Sequence, residues 1–317
     1  MTTGEVAEAR PRRVIGIDIG GTGLQVAVVR FDPAPTIEAG QVLADHAHED
    51  PERAMDRLAE AVRALCPDGV PGTIGVGCAG LVDAVAGIVH ASPNLPAWKR
   101  VALGAGLAAR LGRPTHLCND ADGFLAAEWR LGAARGARHA LFVTLGSGVG
   151  GGLVANGASY RGATGLGAEI GHMSIRCDGA ECPCGNRGCL ELYVGRHAIE
   201  RAAEANGLAA EGCATPVDVA AWAARGEPRA TALLAEAGRC LGIALAGAAN
   251  LCEPEVIVIG GGVAEAGAPL LEPARAEFEA RSMVARQRGI ALRAAAFGPQ
   301  AGIIGAALLA VEAGAGA

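Results

Sequence analysis

Aromatic side chains are scarce: Phe, Trp and Tyr together make up 3% of 317 residues. The core must therefore be packed with Ala, Val, Leu and Ile. With 48 glycines for tight turns and close contacts, this composition suits an α/β architecture. Lysine is nearly missing too. Lys99 is the single one, so a lysine-dependent phosphate clamp has one candidate. It follows Trp98 rather than a glycine, which rules out a G-x-x-x-x-G-K-[ST] loop. The kinase-type H-R-D loop is also absent. Basic residues number 27 against 33 acidic ones, a net charge of −6, so neither nucleic acid nor an anionic membrane is favoured as a partner. No apolar run approaches the ~18–20 residues, free of charge and turn signals, that a membrane span requires. The opening MTTGEVAEARPR has no apolar stretch of the kind that marks a secretion signal.

The ten cysteines would suggest a disulfide scaffold in a small secreted protein, but these are unevenly placed. Cys66, Cys78, Cys118, Cys213, Cys240 and Cys252 lie in apolar or helical segments, where a thiol behaves as a small hydrophobe, and Cys177 reads as a spectator. The expectation is a reducing, cytoplasmic setting. The other three belong to the stretch Gly165–Glu191. There His172, Cys182, Cys184 and Cys189, spaced H-x9-C-x-C-x4-C, form a complete four-ligand set that suits tetrahedral Zn2+. Glu169 and Glu191 flank it without being needed by the metal. With all four positions filled by protein, the metal is expected to be structural.

Along the chain, the spacing predicts a strand pair, Val14–Ile17 and Leu24–Phe31, around the turn Asp18-Ile19-Gly20-Gly21-Thr22-Gly23. Such a hairpin can bring backbone N–H groups to a phosphate, with Asp18 facing its metal ion; an ordinary glycine-rich hairpin would read the same way. Helices are expected over Pro51–Cys66 and Leu103–Leu111, and a buried strand over Thr73–Cys78. Between them, two prolines stiffen the loop that presents Asn94. The strand Pro114–Cys118 delivers Asn119-Asp120 to its C-terminal end, where ligands gather in α/β folds. Asp120 there could be a catalytic base or a plain cap for the helix Ala121–Leu131. In Ala140–Ala155 the glycines Gly146, Gly148 and Gly151 match G-x-G-x-x-G, but a strand rather than a helix follows, so a dinucleotide fold is excluded. Overlaid on residues 14–29, the segment instead suggests an internal duplication, with a second hairpin at Gly146-Ser147-Gly148. Helices follow over Val194–Asn206, Pro216–Ala224 and Pro228–Leu251. The strand Val256–Ile259 then leads through Gly260-Gly261-Gly262 into a helix from Val263, an anion or ribose platform. A helix Leu270–Val284, a strand Ile290–Ala296 and a helix Ala301–Val311 before a loose GAGA tail complete the reading. No linker stands out, which puts a hinge near residues 112–122. Three glycine turns after buried strands imply a polyphosphate ligand. The amides and carboxylates at Asn94, Asn119, Asp120, Glu169 and Glu191 suit a polyhydroxylated acceptor.

Those motifs resemble the repressor–open reading frame–kinase (ROK) family of sugar kinases, in the sugar kinase, Hsp70 and actin superfamily, over nearly the whole chain. The markers are Asp18-Ile-Gly-Gly-Thr22, Pro93-Asn94-Leu95-Pro96, Asn119-Asp120, Leu145-Gly-Ser-Gly-Val-Gly150, Glu169-Ile-Gly-His172 and, most diagnostic, Cys182-Pro-Cys-Gly-Asn-Arg-Gly-Cys-Leu-Glu191. Ser147 stands where threonine is common and keeps the hydroxyl. The resemblance implies two actin-like (ribonuclease H-like) lobes with a hinge cleft. The smaller lobe would span 1–118, with the C-terminal helix 301–317 packed back on it. The larger, 119–300, would hold the zinc loop and a dimer surface. It implies Asp120 as general base. Gly80, Asn94, Asn119, Glu169, His172 and Glu191 would be sugar ligands, His172 also binding zinc with Cys182, Cys184 and Cys189. Asp18, Gly20, Gly21, Thr22, Gly146, Ser147 and Gly148 would meet Mg2+–ATP phosphates, and Gly260, Gly261 and Gly262 the adenosine. The implied activity is ATP-dependent phosphorylation of a hexose 6-hydroxyl, glucose first. N-acetylglucosamine, N-acetylmannosamine, mannose, fructose or allose are alternatives, and polyphosphate is an alternative donor. A homodimer or dimer of dimers is expected. Sugar-responsive repressors of the family carry a helix-turn-helix domain before the first hairpin; thirteen residues precede Val14, too few for one. A zinc-ribbon nucleic-acid module conflicts with the acidic charge, and a sugar-sensing protein without catalysis would not need Asp120 with both hairpins.

Overall fold

Residues 13–20, 23–43, 49–92, 95–163 and 165–315 are described by a computed structural model; Gly21, Thr22 and Asn94, three of the expected site residues, lie outside them. The chain divides into two compact units, Met1–Ala127 with Gly302–Ala317, and Glu128–Ala301. Reading from sequence put the boundary at 118/119; the units divide in the last turn of the helix that follows.

In unit 1, alternate and then consecutive β-branched residues form β1 (Arg13–Gly20) and β2 (Gly23–Arg30), buried on both faces and therefore apolar along most of their length. They pair antiparallel, Asp18 opposite Gln25 and Gly20 opposite Gly23. β3 (Thr36–Leu43) adds an edge strand whose residues are largely exposed, which left it without an apolar pattern to read from sequence. α1 (Pro51–Leu65) starts at Asp50, whose carboxylate accepts from the N–H groups of Glu52 and Arg53. Then come β4 (Ile74–Cys78), the small antiparallel sheet β5 (Leu81–Asp83), β6 (Ile88–Ala91) and β7 (Lys99–Val101), α2 (Leu103–Leu111), β8 (Thr115–Asn119) and α3 (Asp120–Arg130). The main sheet runs β3-β2-β1-β4-β8, with β1, β4 and β8 parallel, so Ile19, Cys78 and Asn119 lie side by side at one sheet end.

Unit 2 repeats the plan. β9 (Ala140–Leu145), β10 (Val149–Ala155) and β11 (Ala158–Tyr160) form an antiparallel meander. After α4 (Glu191–Val194), α5 (Arg196–Ala205), α6 (Pro216–Ala224) and α7 (Pro228–Cys252), β12 (Val256–Gly260) joins β9 in parallel. α8 (Ala268–Arg281) and α9 (Met283–Arg288) lead to β13 (Ala291–Ala294), giving the order β11-β10-β9-β12-β13. Relative strand directions match those of unit 1. Among the described residues α7 alone is long and apolar enough to cross a membrane, but most of it is buried in the core of unit 2, where Leu234, Leu241 and Leu245 belong to the same apolar cluster as Phe278 of α8. α10 (Ala301–Ala315) returns to unit 1 and runs past Val311 into the expected loose tail. It lies directly on the strands: a Cβ on Gly75 would stand 2.0 Å from the Ala306 carbonyl oxygen.

Three expected helices differ. The one over 194–206 is split at Gly195, whose ψ of 163° leaves the helix so that the Arg196 N–H can donate to the Gly146 carbonyl at 2.9 Å. The one over 270–284 breaks at Ser282, whose hydroxyl accepts from the Ala285 N–H and starts α9. The one from Val263 is only a 3-10 turn, Gly262–Ala266, too short to add a helix dipole to the glycine platform.

Candidate active site

In unit 1 the polar groups stand at the ends of parallel strands. Asn119, last in β8, uses both halves of its amide: Nδ2 donates to the Gly80 carbonyl at 2.9 Å, and Oδ1 accepts from the Ala121 N–H at 2.9 Å. Asp120 Oδ1 also receives the Ala121 N–H, at 2.9 Å, so the two side chains share this donor at the start of the helix. A Cβ on Gly77 would lie 3.7 Å from Asp18 Oδ1 and 3.8 Å from the Asp120 Cα, so the Asp18 carboxylate and the Asp120 backbone flank one glycine. Burial pushes the Asp18 carboxyl up to about 7, and the charge of Asp120 adds to the rise. Two acids crowded in a poorly solvated corner favour a cation or a proton between them.

In unit 2 three separate segments meet at Val149, the first residue of β10. The turn Gly146-Ser147-Gly148 leads into it. The Val149 N–H donates to Glu191 Oε2 at 2.9 Å. Its carbonyl faces Gly171, where a Cβ would sit only 2.0 Å away, so the Glu169-Ile-Gly-His172 segment can lie on β10 because residue 171 has no side chain. Gly148 has the same role toward Glu191, whose Oε2 a Cβ would meet at 1.9 Å. The turn is braced from behind: Arg196 and His197 donate backbone N–H groups to the carbonyls of Gly146 and Ser147, at 2.9 and 3.4 Å. On the neighbouring strand, Gly260 pairs with Thr144, and Gly261 lies against Leu145. The predicted turn Gly146-Ser147-Gly148, the Glu169–His172 segment, Glu191, Gly260 and Gly261 are therefore brought to one end of the sheet.

The metal ligands are gathered as the spacing predicts. Ligand atoms of His172, Cys182, Cys184 and Cys189 all lie within 4.8 Å of one another. The Cys184 and Cys189 sulfurs are 3.7 Å apart, and Cys182 Sγ is 3.8 Å from His172 Nδ1. Zn–S bonds of ~2.3 Å in a tetrahedron put sulfurs about 3.8 Å apart, so the donor set fits Zn2+. Burial pushes the Cys182 thiol up and that of Cys189 up to about 12, whereas the Asn186 N–H holds Cys184 below the ordinary thiol range. A cation bound here would take the sulfurs as thiolates and release their protons to solvent.

Three residues that hold this loop were not singled out from sequence. Asn186 Nδ2 donates to the His172 carbonyl at 3.1 Å and its Oδ1 accepts from the Arg187 N–H at 2.8 Å, tying the cysteine turn to the histidine. Arg176 lies over the Tyr193 ring, 4.6 Å from its centre, and pairs with Glu236 of α7, while its carbonyl faces Gly188. Asn186 sits inside the cysteine motif, so the motif itself was its signal. Arg176 and Tyr193 act across long separations and leave no local pattern.

The ROK family profile matches residues 14–313. A glucokinase of Streptomyces coelicolor is 33% identical over 94% of this chain and 97% of its own length. A glucokinase of Thermotoga maritima is 33% identical over 95% of this chain and 98% of its own. A crystal structure of a ROK family glucokinase from Streptomyces griseus, in complex with glucose and AMPPNP, superposes with a TM-score of 0.84 at 31% identity, covering 95% of this chain and 99% of that one. The family profile spans nearly the whole chain and the glucokinases match it over almost their full length, so the chain belongs to the ROK family.

Proposed function

We propose that this protein is an ATP-dependent hexose kinase, a glucokinase, transferring the γ-phosphoryl group to the sugar 6-hydroxyl. The convergence at Val149 carries the reading. One residue's backbone supports a phosphate-type turn on one side and, through Glu191 and Gly171, the Glu169–His172 pair on the other. An anion cradle joined to acceptors of hydroxyl hydrogen bonds suits a phosphoryl donor and a polyhydroxylated acceptor together. Full-length likeness to glucokinases adds the sugar.

In this reading Asp120 takes the proton from the 6-hydroxyl as its oxygen bonds to the γ-phosphorus, and the bond to the bridging oxygen breaks to release ADP. Gly80, Asn94, Asn119, Glu169, His172 and Glu191 orient the sugar; Asn119 has its second amide hydrogen left for a hydroxyl. Asp18 and the turns at Gly20–Thr22 and Gly146–Gly148 receive the phosphates. Mg2+ carried by the nucleotide supplies charge neutralisation there, which fits the proton-hungry Asp18. Gly260–Gly262 receive the adenosine. Zn2+ held by His172, Cys182, Cys184 and Cys189 is structural, fixing the loop that ends at Glu191. His172 turns Nδ1 to the cysteines, leaving Nε2 for a sugar hydroxyl. Unit 1 is the smaller lobe and unit 2 the larger, with a surface for a homodimer or dimer of dimers, in a cytoplasmic enzyme.

A coupled ADP-release assay over glucose, mannose, fructose, N-acetylglucosamine and N-acetylmannosamine, with ATP and with polyphosphate as donor, tests the proposal. Glucose with ATP is expected to give the highest kcat/KM. Higher turnover of an N-acetylhexosamine would reassign the sugar, and sugar-independent turnover alone would end the kinase reading.

A further inference from the structure

Three polar residues are buried among the described ones, Ser92, Glu128 and Ser282, and Glu128 is the only carboxylic acid of the three. It is 0% exposed. It lies on α3, two helical turns beyond Asp120, and is the first residue of unit 2. Its carboxylate accepts three backbone N–H groups at 2.9 Å: Oε2 from Ala133 and Ala296, Oε1 from Phe297. A group whose only task was to close its own helix would need Ala133 alone. Ala296 and Phe297 are 168 and 169 residues further on. They follow β13 and lead, through Gly298–Gln300, into α10, by which the chain returns to unit 1.

The surroundings are shaped to this carboxylate. A Cβ on Gly132 would come within 2.4 Å of Oε2. The Ala134 N–H donates to the Glu128 carbonyl at 2.9 Å, and Arg293 of β13 donates to the Ala133 carbonyl at 2.8 Å. The loop after α3 and the end of β13 are thus stitched together twice. Within unit 1 the same two chain segments touch again, where a Cβ on Gly305 of α10 would stand 1.7 Å from the Gly123 carbonyl oxygen of α3.

We propose that Glu128 is a positioning residue of the transfer reaction: its carboxylate ties the end of α3, within unit 2, to the stretch that leads from β13 toward α10, and so fixes the helix that begins with Asp120. The inference rests on the assignment of Asp120 as base. An α-helix moves as a body, so a shift at residue 128 is carried to residue 120. A base displaced by a fraction of an ångström to one ångström loses much of its rate while substrate contacts elsewhere persist.

Glu128→Gln tests this, because it keeps the shape but turns an amide N–H toward a backbone N–H donor. Per folded molecule, kcat should fall about tenfold to a hundredfold with both KM values little changed. Glu128→Asp, which keeps the carboxylate and shortens the reach, should fall between Gln and wild type. Hydrogen exchange at the Ala133, Ala296 and Phe297 amides should speed up in Glu128→Gln, a readout independent of turnover. Ser282→Ala, which loses the buried cap of α9 elsewhere in unit 2, is the control for general loosening; it should lower the melting temperature and leave kcat alone. Wild-type kcat in Glu128→Gln, unchanged exchange at those amides, or an equal kcat loss in Ser282→Ala would each overturn the inference. Failure of the wild-type protein to phosphorylate any sugar would instead remove the kinase reading, with the exchange experiment still deciding whether Glu128 makes this tie.

Discussion

At the end of β1, unit 1 places Asp18; at the matching position of β9, unit 2 has Thr144. The two sheets share strand order and direction, and each carries a glycine turn between its first two strands. Unit 1 delivers its acids from the strand ends themselves, Asp18 from β1 and Asp120 just after β8. Unit 2 has none on its strand ends and imports Glu169 and Glu191 on a loop, which the cysteine–histidine cluster and Arg176 hold in place. Acids built into a sheet end come crowded and poorly solvated, which suits chemistry on a phosphate. Acids on a braced loop keep solvent contact and can be spaced to match hydroxyls. Under the kinase reading, the base comes from unit 1 and the cluster-braced carboxylates come from unit 2.

That division can be broken by substitutions. The largest effect belongs to unit 1: Asp120→Asn should lower kcat by roughly 10²–10⁴-fold with an unchanged melting temperature, measured by coupled ADP release and thermal unfolding. Loss confined to KM would erase the contrast between the units. Next, Cys184→Ser should abolish stoichiometric zinc by metal analysis and raise the sugar KM roughly 10–100-fold, with less change in kcat for the enzyme that remains folded. Smaller still is Gly148→Ala, whose Cβ would stand 1.9 Å from Glu191 Oε2; it should cost about 1–3 kcal/mol of stability and weaken sugar and nucleotide together. Gly146→Ala, with nothing within 4 Å of its Cβ, should be tolerated in the fold.

The last effect depends on pH. The Asp18 carboxyl stands near 7 in the fold against 3.8 for an unperturbed aspartate. The folded state therefore holds this proton more tightly than the unfolded chain. That contribution to stability is full below about pH 4 and is lost as the pH rises through about 7. Asp18→Asn should accordingly raise the melting temperature of the nucleotide-free protein at pH 8, with the gain shrinking toward pH 5. A gain that grew on acidification would contradict the crowding of Asp18 with Asp120.

Much of this was legible in the sequence because it was written locally. The strands β1, β2, β4, β9 and β12 are short β-branched or apolar runs closed by glycines, and the cysteine loop declares its ligands by spacing. What was not legible depends on contacts made across the fold. β3 is an exposed edge strand with little apolar pattern. The break at Gly195 exists because the Gly146 carbonyl, far off in sequence, takes the Arg196 N–H. Glu128 reads as one more polar residue on a helix until Ala296 and Phe297 arrive beside it. Asp120 was open between base and cap, and its carboxylate shares the Ala121 N–H with Asn119, so the base role stays a proposal for the Asp120→Asn variant to decide.

The central claim, transfer of a phosphoryl group to the 6-hydroxyl of glucose, is tested most directly by identifying the product. Purified protein incubated with glucose and Mg2+–ATP should yield glucose 6-phosphate and ADP in equal amounts, and 6-deoxyglucose should yield neither above the rate without sugar. Phosphate on another hydroxyl, or ADP release that does not depend on a 6-hydroxyl, would contradict it.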